Sequence, residues 1–552
     1  MLIVTVLVVP IVVAVVRTLA GGYYPVSDNA LLALRAGDTF SAHPPLLGAS
    51  SSASSGLAES VSHPGPWYGY LVAAPVRVLG PAAGSVVGVA VVNAVAVMVA
   101  AGQGRAVGGR VGLGAMAVAV GSLLVGMGPN LMWDIWQPHA LLLPFVAFVA
   151  SLWAVVGSTR GRLALVVGIG SLLAQTHLTY VVLAGTGMAV AVAITLGRWR
   201  RGPEDGRASV GRQVLAAAGV LVIAWAPTVI EQFTGAGRGN LGRLLARDMT
   251  GASETLGWAR AVRAVGTQVL RPWFTRDGFS EGLYNVVPVL DGSGRGGLVG
   301  AGAATLAVAG VVIVLGAVAV VGHRQGDRVA RAAGAVGLGL LALTVATAQL
   351  VPFGSLGIAA HQLRFISPVL ASGLGLAIAG GVRLASDAAP SRRITTMLVG
   401  FVVALTAVVA VLPYAYPAGP AYHGTEVDGP ARAVAEQLAA ADVAGPVRYD
   451  DRYFYFGEYY VSTVLLALAR DGVDVRAGDE ITIRQLGEHR RADGSERGVI
   501  TVAQGEDALA TPPGAERIAF VQNVTADVAD PDEFLDRTVA VFYEPAGDAG
   551  DG

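Results

Sequence analysis

Apolar residues along most of this chain gather into long, uninterrupted segments. Segments of about 18 to 24 residues match a helix that crosses a hydrocarbon layer of about 30 Å, because an α-helix rises about 1.5 Å per residue. The pattern therefore predicts an all-α polytopic membrane protein with about eleven transmembrane helices. We place these spans at residues 2–20, 82–101, 110–128, 139–157, 161–176, 178–197, 212–231, 298–321, 330–351, 358–382 and 395–415.

The arginine residues of the short loops agree with this number of spans and predict an orientation. If the N-terminus is cytoplasmic, every inner loop contains arginine, in agreement with the positive-inside rule. The short outer turns contain none, provided that the segment 161–197 is divided at the polar residues 175–177. We therefore predict a multi-pass protein of the cytoplasmic membrane whose outer loops 21–81 and 232–297 and whose C-terminal part are extracytoplasmic.

The composition changes after residue 416, where acidic residues become frequent and apolar segments of membrane-spanning length end. Helical patterns at 430–442 and 458–470 alternate with short β-branched or apolar runs. We therefore divide the chain into a transmembrane domain, 1–416, and a small soluble α/β domain, 417–552. The runs that predict strands lie near 446–449, 498–503, 516–522 and 537–543.

The composition excludes several classes of protein. Hydrophobic residues make up 53% of the 552 residues and charged residues only 14%, against about 25% charged residues in ordinary soluble domains. The absence of cysteine removes disulfide bonds and thiolate chemistry. No nucleotide-binding loop with a strand and helix around it is found, which disfavours ATP-driven transport, and we expect no nucleic-acid partner. The absence of lysine indicates a GC-rich bacterial genome.

The first outer loop carries the residues with the clearest chemical potential. Asp28 follows the first span by a few residues, so its carboxylate is expected at the boundary between membrane and water. Further along, the sequence His63-Pro-Gly-Pro precedes an apolar segment with Trp67, Tyr68 and Tyr70, which predicts a helix in the membrane interface in contact with lipid headgroups.

This arrangement resembles the GT-C class of glycosyltransferases, which use sugars linked to polyprenyl phosphate. The resemblance rests on an acidic residue after a short first span, a proline turn that opens a juxtamembrane helix ending in Leu-Gly, and the second span. The segment HQLRFISPVL is similar to a late-span element of the class, with His361, Arg364 and Pro368 at the matching positions. The class includes protein O-mannosyltransferases, aminoarabinose transferases and arabinofuranosyltransferases, and we expect an actinobacterial type. The resemblance covers roughly residues 1–415.

The resemblance implies transfer of a sugar from a polyprenyl-phosphate donor to an extracytoplasmic cell-envelope acceptor, which is a glycan, lipid or protein, with inversion. Asp28 matches the general base, and a helix cap is the alternative role for it. Many relatives have two adjacent acidic residues here, whereas this chain has Asn29, so Asp38 or Asp134 becomes a candidate for the second acid. Asp134 lies between tryptophans, and an interfacial belt is the alternative reading. The resemblance fixes no cofactor, although some members use a divalent cation, for which Asp134 would be a ligand.

Four further residues are candidates for substrate binding. Arg364 suits the donor phosphate, with His361 beside it, because a guanidinium matches phosphate geometry and arginine near a membrane is costly without a partner. Its alternative role is to extend to the lipid headgroups. His43 and His63 are candidates for binding phosphate or acceptor, although each precedes a proline as turn residues often do.

Two other functional classes fit a polytopic membrane protein. A transporter or flippase for lipid or polysaccharide should show repeated halves with broken spans around a site at the midplane, and the sequence shows no such repeat. A non-catalytic relative that acts as a scaffold in envelope assembly is the third reading.

Overall fold

The computed structural model describes residues 2–51, 61–158, 162–235, 237–246, 255–275, 298–352, 360–386, 425–450, 460–522 and 538–546, with the single residues 400 and 404. Sixteen described helices are numbered here in chain order. They are α1 (Leu2–Ala20), α2 (Ser27–Gly37), α3 (Trp67–Leu131), α4 (Gln137–Ala140), α5 (Leu142–Gly157), α6 (Leu163–Thr176), α7 (Val181–Arg201), α8 (Glu204–Thr234), α9 (Gly239–Ala246), α10 (Gly257–Leu270), α11 (Ala301–Arg324), α12 (Arg328–Ala348), α13 (Ile366–Ser386), α14 (Thr425–Ala440), α15 (Val461–Arg470) and α16 (Glu480–Leu486).

Eight helices of the described part are long and apolar enough to cross a membrane. The 65-residue α3 contains two of the predicted spans, because its backbone leaves the helical conformation at Gly80, Gly109 and Gly128. Its first piece is the predicted interfacial helix, and Gly109 separates the spans 82–101 and 110–128. The shorter α6 corresponds to the predicted span 161–176. Most of the predicted span 395–415 lies outside the described residues.

The turn at Gly109 depends on close approach of the backbone. A Cβ atom at Gly104 would lie 2.6 Å from the carbonyl oxygen of Gly112, and one at Gly112 would lie 2.1 Å from that of Gly104. The two helical pieces of α3 therefore pack with no space for side chains at this crossing, as small residues allow in membranes. Nearly all residues of α5 are buried, and α5 packs on α3, α6, α12 and α13 at the centre of the bundle.

The C-terminal part forms the predicted α/β domain. Its five strands are β1 (Val447–Asp450), β2 (Val475–Ala477), β3 (Gly498–Gln504), β4 (Glu516–Val521) and β5 (Val539–Pro545), arranged in the order β2-β1-β3-β5-β4. Strand β1 is parallel to β2 and β3, whereas β5 is antiparallel to β3 and β4. The fold class expected from the sequence is confirmed, although β2 was not predicted because it has only three residues.

Helix α2 packs on α3 on one side and on the C-terminal domain on the other. Its residues Ala30, Ala33 and Leu34 share one hydrophobic core with α14, α15 and the sheet. The Thr463 hydroxyl of α15 donates to the backbone oxygen of Pro25 at 2.9 Å. The predicted boundary at residue 417 lies outside the described residues and stays a prediction, while the core of the C-terminal domain includes a helix from the first loop.

We expect truncation of Leu34 to loosen the C-terminal domain. Leu34→Ala should cost about 2 to 5 kcal/mol, because a buried leucine leaves a cavity. A cysteine introduced at Val464, which is fully buried in the same core, should then react with a maleimide more than about tenfold faster through local opening. Leu79→Ala, at an exposed leucine of α3, serves as the control. Equal labelling rates in both variants would contradict the shared core.

Candidate active site

Asp28 occupies the first turn of α2, but its side chain does not cap the helix. The N-cap residue is Val26, and no side chain makes a capping hydrogen bond there. The Asp28 carboxylate instead accepts a hydrogen bond from the side chain of Trp136 and lies close to Asp134. Asp28 is exposed to solvent, although nearby protein atoms remove part of the water around its carboxylate. The predicted alternative role as a helix cap is wrong.

The environment of Asp28 suits a proton acceptor. Burial raises the pKa of Asp28 above its ordinary value, the hydrogen bond from Trp136 lowers it in part, and the charge of Asp134 raises it. The net direction is upward, which moves the pKa of the carboxyl toward neutral pH. A carboxylate with a raised pKa is a stronger base than an ordinary one while still ionised above that pKa.

Asp134 is almost completely buried, with 1% of its surface exposed, and three donors hold it. The Asn29 amide donates to Oδ1 at 2.9 Å, the backbone nitrogen of Trp136 donates to the same oxygen at 3.1 Å, and His139 Nδ1 lies 2.6 Å from Oδ2. A buried carboxylate needs such partners, because burial without them is very costly. Asp134 is therefore placed to orient Trp136, and through it Asp28.

Asn29 stands where the resemblance leads one to expect a second acidic residue, and the structure gives its amide two partners. Its amide reaches Asp134 and also donates to the Tyr23 hydroxyl at 3.3 Å. A carboxylate at this position would face Asp134 and repel it. From the sequence, Asn29 is recognisable only as a position that lacks an expected acidic residue. Its contact with Asp134 joins positions 105 residues apart, so no local pattern predicts it.

A row of aromatic and imidazole rings extends from Trp136. The rings of Trp136 and His361 have centroids 4.9 Å apart, and those of His63 and His177 stack at 5.0 Å. Arg364 follows His361 in the same turn, and its backbone nitrogen donates to the backbone oxygen of His361 at 3.3 Å. The structure therefore brings Asp28, Asp134, His361 and Arg364 together, drawn from α2, the α3–α4 segment and the start of α13, and places His63 beside His177.

Arg364 and His63 are both buried, whereas arginine and histidine side chains are usually at least partly exposed. Arg364 is only 3% exposed, so it does not extend to the lipid headgroups, and that alternative is wrong. Burial lowers the pKa of His63 to about 4, which makes its imidazole neutral at physiological pH. The Nδ1 atom of His63 has no hydrogen-bond partner within the described ranges. His63 is thus a neutral group and does not supply a positive charge for phosphate.

Two candidate residues lie elsewhere. His43 is exposed and stacks on His489 of the C-terminal domain, with ring centroids 4.8 Å apart. Asp38 accepts two hydrogen bonds from the guanidinium of Arg490, at 2.6 and 2.8 Å. Both residues belong to the contact between the first loop and the C-terminal domain, so the structure does not support Asp38 as the second acid or His43 as a group beside Asp28.

The described residues contain no group of three side chains that would hold a metal ion. Asp134 and His139 form a carboxylate–imidazole pair, and Asn29 and the Trp136 backbone occupy the other carboxylate oxygen. The expectation that Asp134 ligates a divalent cation stays a prediction.

No protein family model and no curated protein matches this chain. Among solved structures, ArnT from Cupriavidus metallidurans bound to undecaprenyl phosphate is similar, with a TM-score of 0.53 and 13% sequence identity over 99% of this chain and 98% of ArnT. ArnT in the apo state gives a TM-score of 0.45 and 14% identity over 96% and 97% of the two chains. ArnT is a GT-C glycosyltransferase, so the chain has the GT-C membrane fold.

We expect Asn29→Asp to destabilise the protein at neutral pH, because two carboxylates would then face each other in a buried position. The cost should be about 1 to 3 kcal/mol. It should shrink as the pH falls, since repulsion raises the pKa of the pair and protonation of one carboxyl restores a donor.

Thermal unfolding at pH 7.5 and pH 5 measures this effect. Asn29→Ala is the control, because it removes the amide donor without adding a charge and should be destabilised by a similar amount at both pH values. An Asn29→Asp protein as stable as the wild type at pH 7.5 would show that Asn29 and Asp134 are not in contact.

Proposed function

We propose that this protein is a membrane glycosyltransferase that moves a sugar from a polyprenyl-phosphate donor to a hydroxyl group of an acceptor outside the cytoplasmic membrane. The observation that carries the proposal is the placement of Asp28, a solvent-reached carboxylate with a raised pKa, in one connected group with the buried Arg364. A base for the acceptor and a cation for the leaving phosphate are the two groups that such a transfer requires.

The fold supports the choice of donor. The similar ArnT structure contains undecaprenyl phosphate, a polyprenyl phosphate and therefore the same kind of molecule that sugar transfer from such a donor releases. A sugar on a lipid phosphate is already activated, because the phosphate is the leaving group. No nucleotide is needed for this reaction.

In the proposed mechanism, the acceptor hydroxyl gives its proton to Asp28 while its oxygen attacks the anomeric carbon of the donor sugar. The bond between that carbon and the phosphate oxygen breaks, and the electron pair leaves with the polyprenyl phosphate. Attack from the side opposite to the phosphate inverts the anomeric configuration. Arg364 stabilises the negative charge that grows on the phosphate.

Other residues position these two. Asp134 holds the backbone of Trp136, and the Trp136 side chain donates to Asp28. Trp136 also contacts His361, so one indole ring lies between the base and the residues around Arg364. We infer that Asp134 orients the base and does not itself accept the proton, because it is buried and its oxygens already have donors.

We expect Asp28→Asn and Arg364→Gln to have different effects on the reaction. Asp28→Asn keeps the volume of the side chain but accepts no proton, so turnover should fall by roughly 10² to 10⁴ while donor binding changes little. Arg364→Gln removes a partner of the phosphate, so donor binding should weaken. Sugar transfer from a radiolabelled donor and binding of that donor measure the two effects.

Asp507→Asn, at an exposed carboxylate of the C-terminal domain, provides the matched control and should behave like the wild type. A transporter would show no such difference, because passage of a lipid requires no proton transfer from a hydroxyl. Transfer at the full rate by Asp28→Asn would remove Asp28 from the mechanism.

The pH dependence of kcat/KM should report the base. Because the pKa of Asp28 is raised, activity should be lost on the acid side at a pH above the usual range of an aspartate, about 3.9. The rate should rise with pH through this value, since the base must be ionised to accept a proton. An acid limb at or below the ordinary value would contradict this environment for Asp28.

A further inference from the structure

A small recess lies between α2, the first loop and the start of α3. Helix α2 contributes Leu32, Arg35 and Ala36 to its wall, and Thr39 follows in the next turn. The opposite wall comes from the first turns of α3 and from Ile135 and Gln137. The side chains and backbone that form it therefore come from the same segments that hold the candidate active site.

Arg35 is the charged residue in this wall. Its two terminal nitrogens donate to the backbone oxygens of Gln485 and Leu47, each at 2.9 Å. The nearby carboxylate of Asp38 is occupied by the two hydrogen bonds from Arg490. Within the described part of the chain, Arg35 makes no ion pair of its own, so its positive charge and its further N–H groups remain for a ligand.

Two more groups in the wall favour an oxygen anion. The Thr39 hydroxyl is buried and has no hydrogen-bond partner among the residues that the structure describes. Helix α3 begins at the recess, and its N-cap residue, Pro66, offers no side-chain hydrogen bond. The first turn of a helix carries partial positive charge and backbone N–H groups, which add to the field of Arg35.

The recess and the candidate base are on one face of α2. Asp28, Leu32 and Arg35 follow one another at helical spacing, and Ile135 and Gln137 flank Trp136, which donates to Asp28. Arg35 follows Asp28 by seven positions in the helix, a distance of roughly 10 Å along the axis. A ligand whose anionic group lies in the recess would therefore reach Asp28 if the rest of the molecule is about as long as one to two sugar rings.

We propose that this recess binds an anionic group, phosphate or carboxylate, of the acceptor and so places a hydroxyl of the same molecule at Asp28. The identification of the bound molecule as the acceptor rests on the proposed function. Binding of an anion in the recess does not depend on that function. Arg35 and Thr39 are then the residues that select the acceptor.

The absence of cysteine allows a test that needs no sugar transfer. Ala49 lines the recess, and Ala49→Cys in the full-length protein in lipid nanodiscs places one thiol there. The probes are glucose 6-phosphate, glucuronate and glucose, each added before N-ethylmaleimide. We expect the two anions to slow labelling and glucose to have little effect. The more protective anion shows whether phosphate or carboxylate is preferred.

Substitution of Arg35 connects this protection to the guanidinium. Arg35→Gln should raise the anion concentration for half protection by about tenfold or more, and Arg35→Lys should keep part of the protection because it keeps the charge. Thr39→Val should weaken protection less, since it removes one neutral hydrogen bond.

Arg198→Gln is the matched control, because Arg198 also donates to two backbone oxygens, of Ser158 and Val156, at the far end of α7. It should leave protection unchanged. Equal protection by glucose and the anions, or protection that survives Arg35→Gln, would overturn the anion site. Since the measurement is one of binding, either result would leave the roles proposed for Asp28 and Arg364 in transfer to be decided by their own variants.

Discussion

The packing of α2 between two parts of the molecule is the constraint on which the candidate site depends. One face of this 11-residue helix, with Ala30, Ala33 and Leu34, completes the core of the C-terminal domain. The other face carries Asp28 toward Trp136. A helix of this length is marginal alone in water, because nucleation is costly. The C-terminal domain therefore has a structural role in presenting the carboxylate, without any chemistry of its own being required.

Burial of polar groups imposes the second constraint. Asp134 is tolerated in the interior because Asn29, His139 and the Trp136 backbone surround it with donors. Asn29 belongs to α2, whereas Trp136 and His139 belong to the segment between α3 and α5. Because an unpaired buried charge is costly, the arrangement that keeps Asp134 paired is favoured. This arrangement fixes the first loop against the α3–α4 segment and so determines the position of Asp28.

The sequence predicted those features that depend on local pattern. Span lengths follow from apolar composition, and the acidic residue after α1 was found by its position. The contacts of α2 with the C-terminal domain, and of Asn29 with Asp134, join distant segments and leave no periodic signal. His43 is a further example. A histidine before a proline gives the same sequence pattern whether it faces a substrate or, as here, stacks on His489. Strand β2 was missed because three residues carry too little alternation.

The most direct test of the central claim is an electron cryo-microscopy structure of the full-length Asp28→Asn protein in nanodiscs with a polyprenyl-phosphate sugar. The account predicts the donor phosphate within hydrogen-bonding distance of the Arg364 guanidinium, about 2.7 to 2.9 Å. The anomeric carbon should face residue 28, with room for an acceptor oxygen between them. A phosphate bound away from Arg364, or a sugar that cannot approach residue 28, would contradict the account.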